Sequence, residues 1–365
     1  MQIALPTFRT TSEIIGGLLG AYSLTGDGEL LQKAAHLGHL VLDGFVESLP
    51  MPLVLINVTG RASRSTRVPL VDIGGLSLDL CYLGDLLGEK RFRDQMSALS
   101  EYIRSAVFGN PGVFAEEIEL QLETYQPNGV CSLGYRAGPV YEYMIKDSLY
   151  VAGRDVRARD TAYTLTQVFF DHYAKQHRIV RVVSWAIREE PDQSVCFALG
   201  TVALGGAPSD PLERALFYRN LRLIANTCLS AFLSMEEGDP KMLRPRLAES
   251  LFVLWRQTGD TAYRQMGLQM CERIESWKVS GGFTFPGTTV QPVFLLAETF
   301  KYLYLLFAPR SVLALDDFVF NTAGHPYPIN KAVPADVQES TVVHLGGYTP
   351  RRKVRILQAQ ELFPV

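Results

Sequence analysis

The chain has 365 residues and a mass of 40.6 kDa, enough to bury a large core as one domain or two. Its net charge of −3 and pI near 6.1 give no reason to expect nucleic acid or an anionic membrane as a partner. The longest apolar run, Val293 to Phe307, carries Glu298 and Lys301 and reads as a buried helix, not a membrane span.

Elements follow a recurring punctuation. It appears as LTGDGELLQK (24–33), LLGEKRFRDQ (86–95), VAGRDVRARD (151–160) and QTGDTAYRQM (257–266). In each, a glycine (Gly26, Gly88, Gly153, Gly259) can close one helix in a left-handed conformation, and an acid just after it can start the next. The glycines recur at intervals of roughly 60 residues or multiples of slightly less, which predicts helical hairpins repeated around a ring. Ile14, Ile15, Leu18, Leu19 and Tyr22 keep helical spacing, as do Leu76, Leu80, Leu83 and Leu87. Further helices are expected near 29–46, 90–107, 134–151, 158–176, 211–234, 246–257, 261–277 and 293–308. Strand signals are weak until VVHLGGYT (342–349) and KVRILQA (353–359), which alternate and can pair. No stretch of linker composition separates two domains.

Chemical motifs are sparse. Cys81, Cys131, Cys196, Cys228 and Cys271 show no C-x-x-C spacing, which argues against zinc. The glycine pairs at 16–17, 205–206 and 281–282 do not form a dinucleotide fingerprint, and no serine lies in G-x-S-x-G. His36 and His39 lack a third ligand. A single sequon, Asn57-Val58-Thr59, is present.

The blocks LRPRLAESLFVLWRQTGDTAYRQ (243–265), FLLAETFKYLYLLF (294–307) and VFNTAGHP (319–326) resemble the class I α-1,2-mannosidases, glycoside hydrolase family 47. There the corresponding text is LRPE–x–x–ES, ESF–x–LAET–KY–YLLF and VFNTEAHP. The resemblance begins at FRTTSEIIGGLLGAYSLTGD (from Phe8) and runs through LSLDLCYLGDLLG (76–88), LGYRAGPVYEYMIK (133–146) and SVCFALGTVALGG (194–206). It implies an all-α fold, an (α/α) toroid of helical hairpins, shortened at its N-terminus. Residues 1–330 would form the barrel, and 331–365 a tail with a small β-hairpin packed on or into it. Cys196 and Cys228 fall where the family has a disulfide; a bridge and two separate buried thiols both stay open. The start, MQIALPTFRTTSE, shows no secretory signal, so the chain is expected in the cytoplasm if complete and in the secretory pathway if an N-terminal segment is missing.

The resemblance also shows what is absent. An inverting glycosidase needs two carboxyl groups roughly 6.5–9.5 Å apart, one to protonate the leaving oxygen and one to activate water. The family's candidate acids fall on Arg9, Gly138 and Arg246, which cannot exchange a proton at working pH. Its calcium ion is held through the threonine matched by Thr322, within an acidic shell. Pro292, Ala323, Arg246 and Arg9 replace that shell, so no cofactor is expected and calcium least of all.

The acids that remain are Glu142, Glu249, Glu298 and Asp79. They either pair with arginines inside the barrel or, for Glu142 and Glu249 with Glu13 and His325, take over proton transfer. Arg9, Arg244 and Arg246 are candidates for an anion-binding wall, and Tyr135 and Tyr141 for lining the space beside Gly138. Arg9 and Glu13 also stand at helical pairing distance. The leading expectation is a barrel that has lost glycan hydrolysis and binds, or cyclises or isomerises, a small molecule. The alternatives are an α-1,2-mannosidase with substitute acids and a non-catalytic binder of mannose glycans. A small-molecule or sugar ligand is expected, without nucleic acid or membrane partners; oligomeric state is left open.

Overall fold

The computed structural model describes residues 4–46, 49–57, 67–106, 114–121, 124–131, 136–152, 181–183, 186–188, 195–234, 247–284 and 290–331. The helix expected near 158–176, Gly153, the second half of the sequon, and the tail with its alternating segments lie outside the described residues.

Two layers of helices alternate. The inner layer is an arc in which Gly16–Thr25, Ser77–Leu87, Gly138–Tyr150, Val195–Gly206, Leu247–Thr258 and Lys301–Phe307 each pack on the next in turn. Gly28–Asp43, Lys90–Ala106, Pro211–Leu233 and Ala262–Glu275 lie outside them, each covering one or two inner neighbours. This is the all-α toroid, and one contiguous apolar core runs through it.

The glycine punctuation sets the turns. Gly26, Gly88 and Gly259 have φ of 74°, 69° and 73°, a left-handed conformation that only glycine adopts without strain. Asp27 then accepts from Glu29 N at 3.0 Å, and Asp260 from Ala262 N at 2.9 Å, starting the next helices. At the second turn the expected cap is absent, because Glu89 instead binds His39 Nε2 at 3.1 Å and Arg91.

Three features depart from expectation. A five-stranded antiparallel sheet runs through Arg67–Pro69, Ala115–Gln121, Thr124–Cys131, Arg181–Val183 and Ala186–Arg188 in sequence order. Its strands are short and broken by Pro69, Pro127 and Gly129, so alternation never extends far enough to read. The helix Val195–Gly206 is buried on nearly every side and therefore has no amphipathic stripe. Two segments, Thr10–Ile15 and Leu295–Phe300, wind as π-type turns, each running directly into an inner helix. Cys196 and Cys228 are bridged, with Cα atoms 5.7 Å apart, tying an inner helix to its outer neighbour.

Candidate functional site at the barrel floor

The turn after strand Phe318–Phe320 organises the site. It returns through Pro326–Pro328 as a short antiparallel hairpin. Asn321 is completely buried, and its Oδ1 accepts the N–H groups of Ala323 (3.0 Å) and His325 (2.8 Å). Its Nδ2 donates to Ser12 O at 2.9 Å and to Asp79 Oδ1 at 2.7 Å. One amide thus joins the first inner segment, the second inner helix and the closing hairpin.

Asp79 is the centre of a dry hydrogen-bond network. The Tyr143 hydroxyl donates to Oδ2 at 2.6 Å, and Tyr327 donates to Oδ1 beside Asn321. Burial nonetheless pushes its carboxyl up from 3.8 to about 7, with these donors pulling the other way. His325 backs onto glycines: a methyl on Gly20 would lie 3.1 Å from its Cβ, and one on Gly17 3.6 Å from its ring. Burial first, and Lys301 second, lower the imidazole to about 3, so it stays neutral.

The second cluster lies across the inner helices. Lys146 Nζ donates to Glu142 one turn earlier and to Glu249 Oε1 at 2.8 Å, and all three residues are buried. Burial opposes the ammonium charge, yet the two carboxylates hold its pKa above the ordinary lysine value. The expectation that the surviving acids pair with arginines is therefore corrected: for Glu142 and Glu249 the partner is Lys146. A lysine four residues after a glutamate reads as a surface helical pair, and only the fold shows that this face points inward. The phenol of Tyr302 is pushed well up by burial and then by the charges of Glu249, Glu142 and Glu298. Asn321, Tyr143, Tyr327, Lys146 and Tyr302 are participants that sequence reasoning missed.

Other expected residues fall elsewhere. Arg9 and Glu13 form the helical pair at 3.0 Å, with the Arg9 side chain 68% exposed. Tyr141 is buried, its ring tilted against Phe114 with centroids 4.8 Å apart, and its hydroxyl accepts the Phe114 N–H. Arg244, Arg246 and Tyr135 lie outside the described residues.

Thr322 is buried, its N–H reaches Tyr143 Oη at 3.5 Å, and its Oγ1 has no hydrogen-bond partner. That orphaned oxygen is the kind of donor calcium uses, but the rest of the set does not fit a hard dication. Ala323 and Pro292 offer no side-chain oxygen, Lys146 offsets part of the charge of Glu142 and Glu249, and Lys301 Nζ donates to Gly324 O at 2.7 Å, two residues on. Among the described residues no three His, Cys, Asp or Glu side chains converge.

The toroid of helical hairpins, closed by the NT-x-x-HP turn, defines the fold class. The sequence profile of glycosyl hydrolase family 47 matches residues 2–239 and 230–329, and the chain belongs to that family. It is 30% identical over 377 residues to mannosyl-oligosaccharide alpha-1,2-mannosidase IA of Spodoptera frugiperda, covering 90% of this chain and 55% of that protein. To the endoplasmic reticulum mannosyl-oligosaccharide 1,2-alpha-mannosidase of Rattus norvegicus it is 28% identical, covering 88% and 56%. The chain thus spans about half the length of these relatives. Among solved structures, the alpha-1,2-mannosidase from Trichoderma reesei superposes with a TM-score of 0.77 at 19% identity, over 90% of this chain and 82% of that one. A D-mannose isomerase shares the fold at a TM-score of 0.57 and 12% identity, over 75% of each chain.

Proposed function

We propose that this family 47 barrel no longer hydrolyses α-mannosides and instead binds a small organic molecule, with isomerisation or cyclisation the reaction class open to it. The observation that carries this reading is the Glu142–Lys146–Glu249 cluster, which ties up two of the remaining carboxylates as a buried ion triplet. A general acid needs a proton to give, and a general base a free lone pair. Each carboxylate here gives an oxygen to the buried Lys146 ammonium, which supports a structural role for both over proton transfer. Gly138 and Arg9 stand where the family's acids would be, and Arg9 is turned to Glu13. Asp79, with a carboxyl near neutral pKa, is fully enclosed by Tyr143, Tyr327 and Asn321. A toroid of this type is also the fold of an enzyme titled D-mannose isomerase, so the scaffold does not oblige hydrolysis. The Cys196–Cys228 bridge supports an oxidising compartment over the cytoplasm.

The test is mannose release from a high-mannose N-glycan, with calcium and with a chelator, using protein shown to be folded. No release is expected in either condition, and calcium-dependent release would overturn the reading. Thermal shifts then separate the remaining cases. Stabilisation by anionic or apolar small molecules supports repurposing, whereas stabilisation by mannose alone moves the protein to glycan binding.

A further inference from the structure

Outside the barrel floor, three arginines gather on one indole. The guanidinium carbons of Arg264, Arg256 and Arg310 lie 4.0, 5.2 and 5.6 Å from the ring centroid of the buried Trp255. They come from two helices, Leu247–Thr258 and Ala262–Glu275, and from the turn after Lys301–Phe307. Gly259 turns the chain beside them: a methyl there would meet Arg310 Nη2 at 3.6 Å.

Their protein partners are all backbone carbonyls. Arg256 donates to Leu305 O (3.1 Å), Val312 O (2.9 Å) and Arg310 O. Arg264 donates to Leu306 O (2.9 Å), Phe307 O (3.2 Å) and Ala308 O (3.3 Å). Arg310 donates to Trp255 O (3.1 Å) and Arg256 O. Two helix C-termini carry roughly half a negative charge each, so they offset about one of three positive charges. No carboxylate among the described residues pairs with any of the three; Asp260, close in sequence, is bound to Arg222 at 3.0 Å and to Ala262 N. Arg256 is 9% exposed, and its Nε–H is buried without a partner. A buried cation is ordinarily matched by an anion, and for Arg256 none is supplied by the described residues. Arg264 Nη1 and Arg310 Nε and Nη1 bond nothing among the described residues, and Arg310 is exposed. The open donors of Arg310 are therefore reachable from solvent.

We infer that Arg256, Arg264 and Arg310 around Trp255 form a binding site for a tetrahedral oxyanion, a phosphate or sulfate group, at the rim where the inner helices end. Guanidinium groups suit such an anion better than ammonium groups do, because they hold their charge and their N–H directions fixed, and Arg256 Nε, Arg264 Nη1, and Arg310 Nε and Nη1 are the donors left open for it. Burial, with Arg310 and Arg264 adding repulsion, lowers Arg256 to about 10, the direction expected of a like-charged cluster lacking its counter-ion. The group can arrive as free inorganic phosphate or as a sugar phosphate ester.

The test is calorimetric titration of the whole chain with sodium phosphate, with sodium sulfate and with a sugar monophosphate, each against sodium chloride at matched ionic strength. One equivalent is expected to bind with a submillimolar to low-millimolar constant, and chloride is expected not to compete. Tighter binding of the ester than of free phosphate by tenfold or more would assign the source as an esterified ligand; equal binding would assign the free anion. Arg310→Gln is expected to weaken binding at least tenfold. Should that variant fail to fold, Arg310→Lys keeps the charge and loses the fork, with a loss of fivefold or more expected. Absence of any heat beyond chloride, or unchanged affinity in a folded variant at Arg310, overturns the assignment.

Discussion

Asp79→Asn probes the enclosed carboxyl at the barrel floor. In the folded chain its pKa is raised from 3.8 to about 7, chiefly by burial. A raised carboxyl pKa means that the stability tied to its proton is fully present below 3.8 and is lost as pH rises through 7. Between pH 5 and pH 8 that loss integrates to about 2.5 kcal/mol. The amide cannot ionise, so it escapes this loss. It keeps one oxygen for Asn321 and Tyr327, but it presents an NH2 to Tyr143, whose hydroxyl must turn from donor to acceptor, at a cost of about 1 kcal/mol at every pH. Urea unfolding of both proteins at the two pH values measures the result. The stability difference, variant minus wild type, is expected to move by about 2.5 kcal/mol in favour of the amide from pH 5 to pH 8. A difference that stays constant within about 0.5 kcal/mol would refute the reasoning, since it would mean that Asp79 carries no folding-linked ionisation.

Three other substitutions follow from the packing. Lys146→Met leaves Glu142 and Glu249 facing each other in the core and should cost about 3–5 kcal/mol, with Glu142→Gln and Glu249→Gln added together recovering part of it; no recovery in the triple variant would argue against the ion triplet. Cys228→Ser opens a bridge spanning 32 residues and should lower stability by roughly 3.5 kcal/mol, a change that reductant must reproduce in the wild-type chain. Gly16→Ala places a methyl 2.4 Å from Asn321 Nδ2, whose amide is bonded on every side, and should cost about 1–3 kcal/mol. Gly28→Ala, with nothing within 4 Å, serves as the control and should be neutral or stabilising by about 0.5 kcal/mol; equal losses at both glycines would contradict the steric account.

The sequence carried the ring of hairpins because glycine turns and amphipathic stripes are local signals. Gly26, Gly88 and Gly259 are left-handed where the punctuation places them, and the helices begin at Asp27 and Asp260. The helix Val195–Gly206 was not legible, since a helix apolar on all faces has no period to detect. The π-type winding of Thr10–Ile15 and Leu295–Phe300 was equally invisible, being a change of backbone pitch that no residue pattern marks. At the site, missing acids were readable position by position, whereas the pairing of Lys146 with Glu249 joins residues 103 apart and exists only once three helices have packed. Asn321 was similarly hidden: its hydrogen bonds reach both its own turn and the far end of the chain.

That amide has a consequence for how the protein is made. Asn321 reaches Ser12 across 309 residues, and Ser23 Oγ donates to Pro326 O across 303. During synthesis the earliest inner helix must therefore wait, with its glycine groove empty, until nearly the whole described barrel has emerged. Contacts of such sequence separation are the slowest to form, because the intervening loop must close before they are rewarded. The ring behaves as a bracelet fastened by its last link. Amide protons of Gly16–Thr25 and of the hairpin Phe318–Pro328 are expected to exchange together, and ahead of the helix Leu247–Thr258 at the middle of the arc.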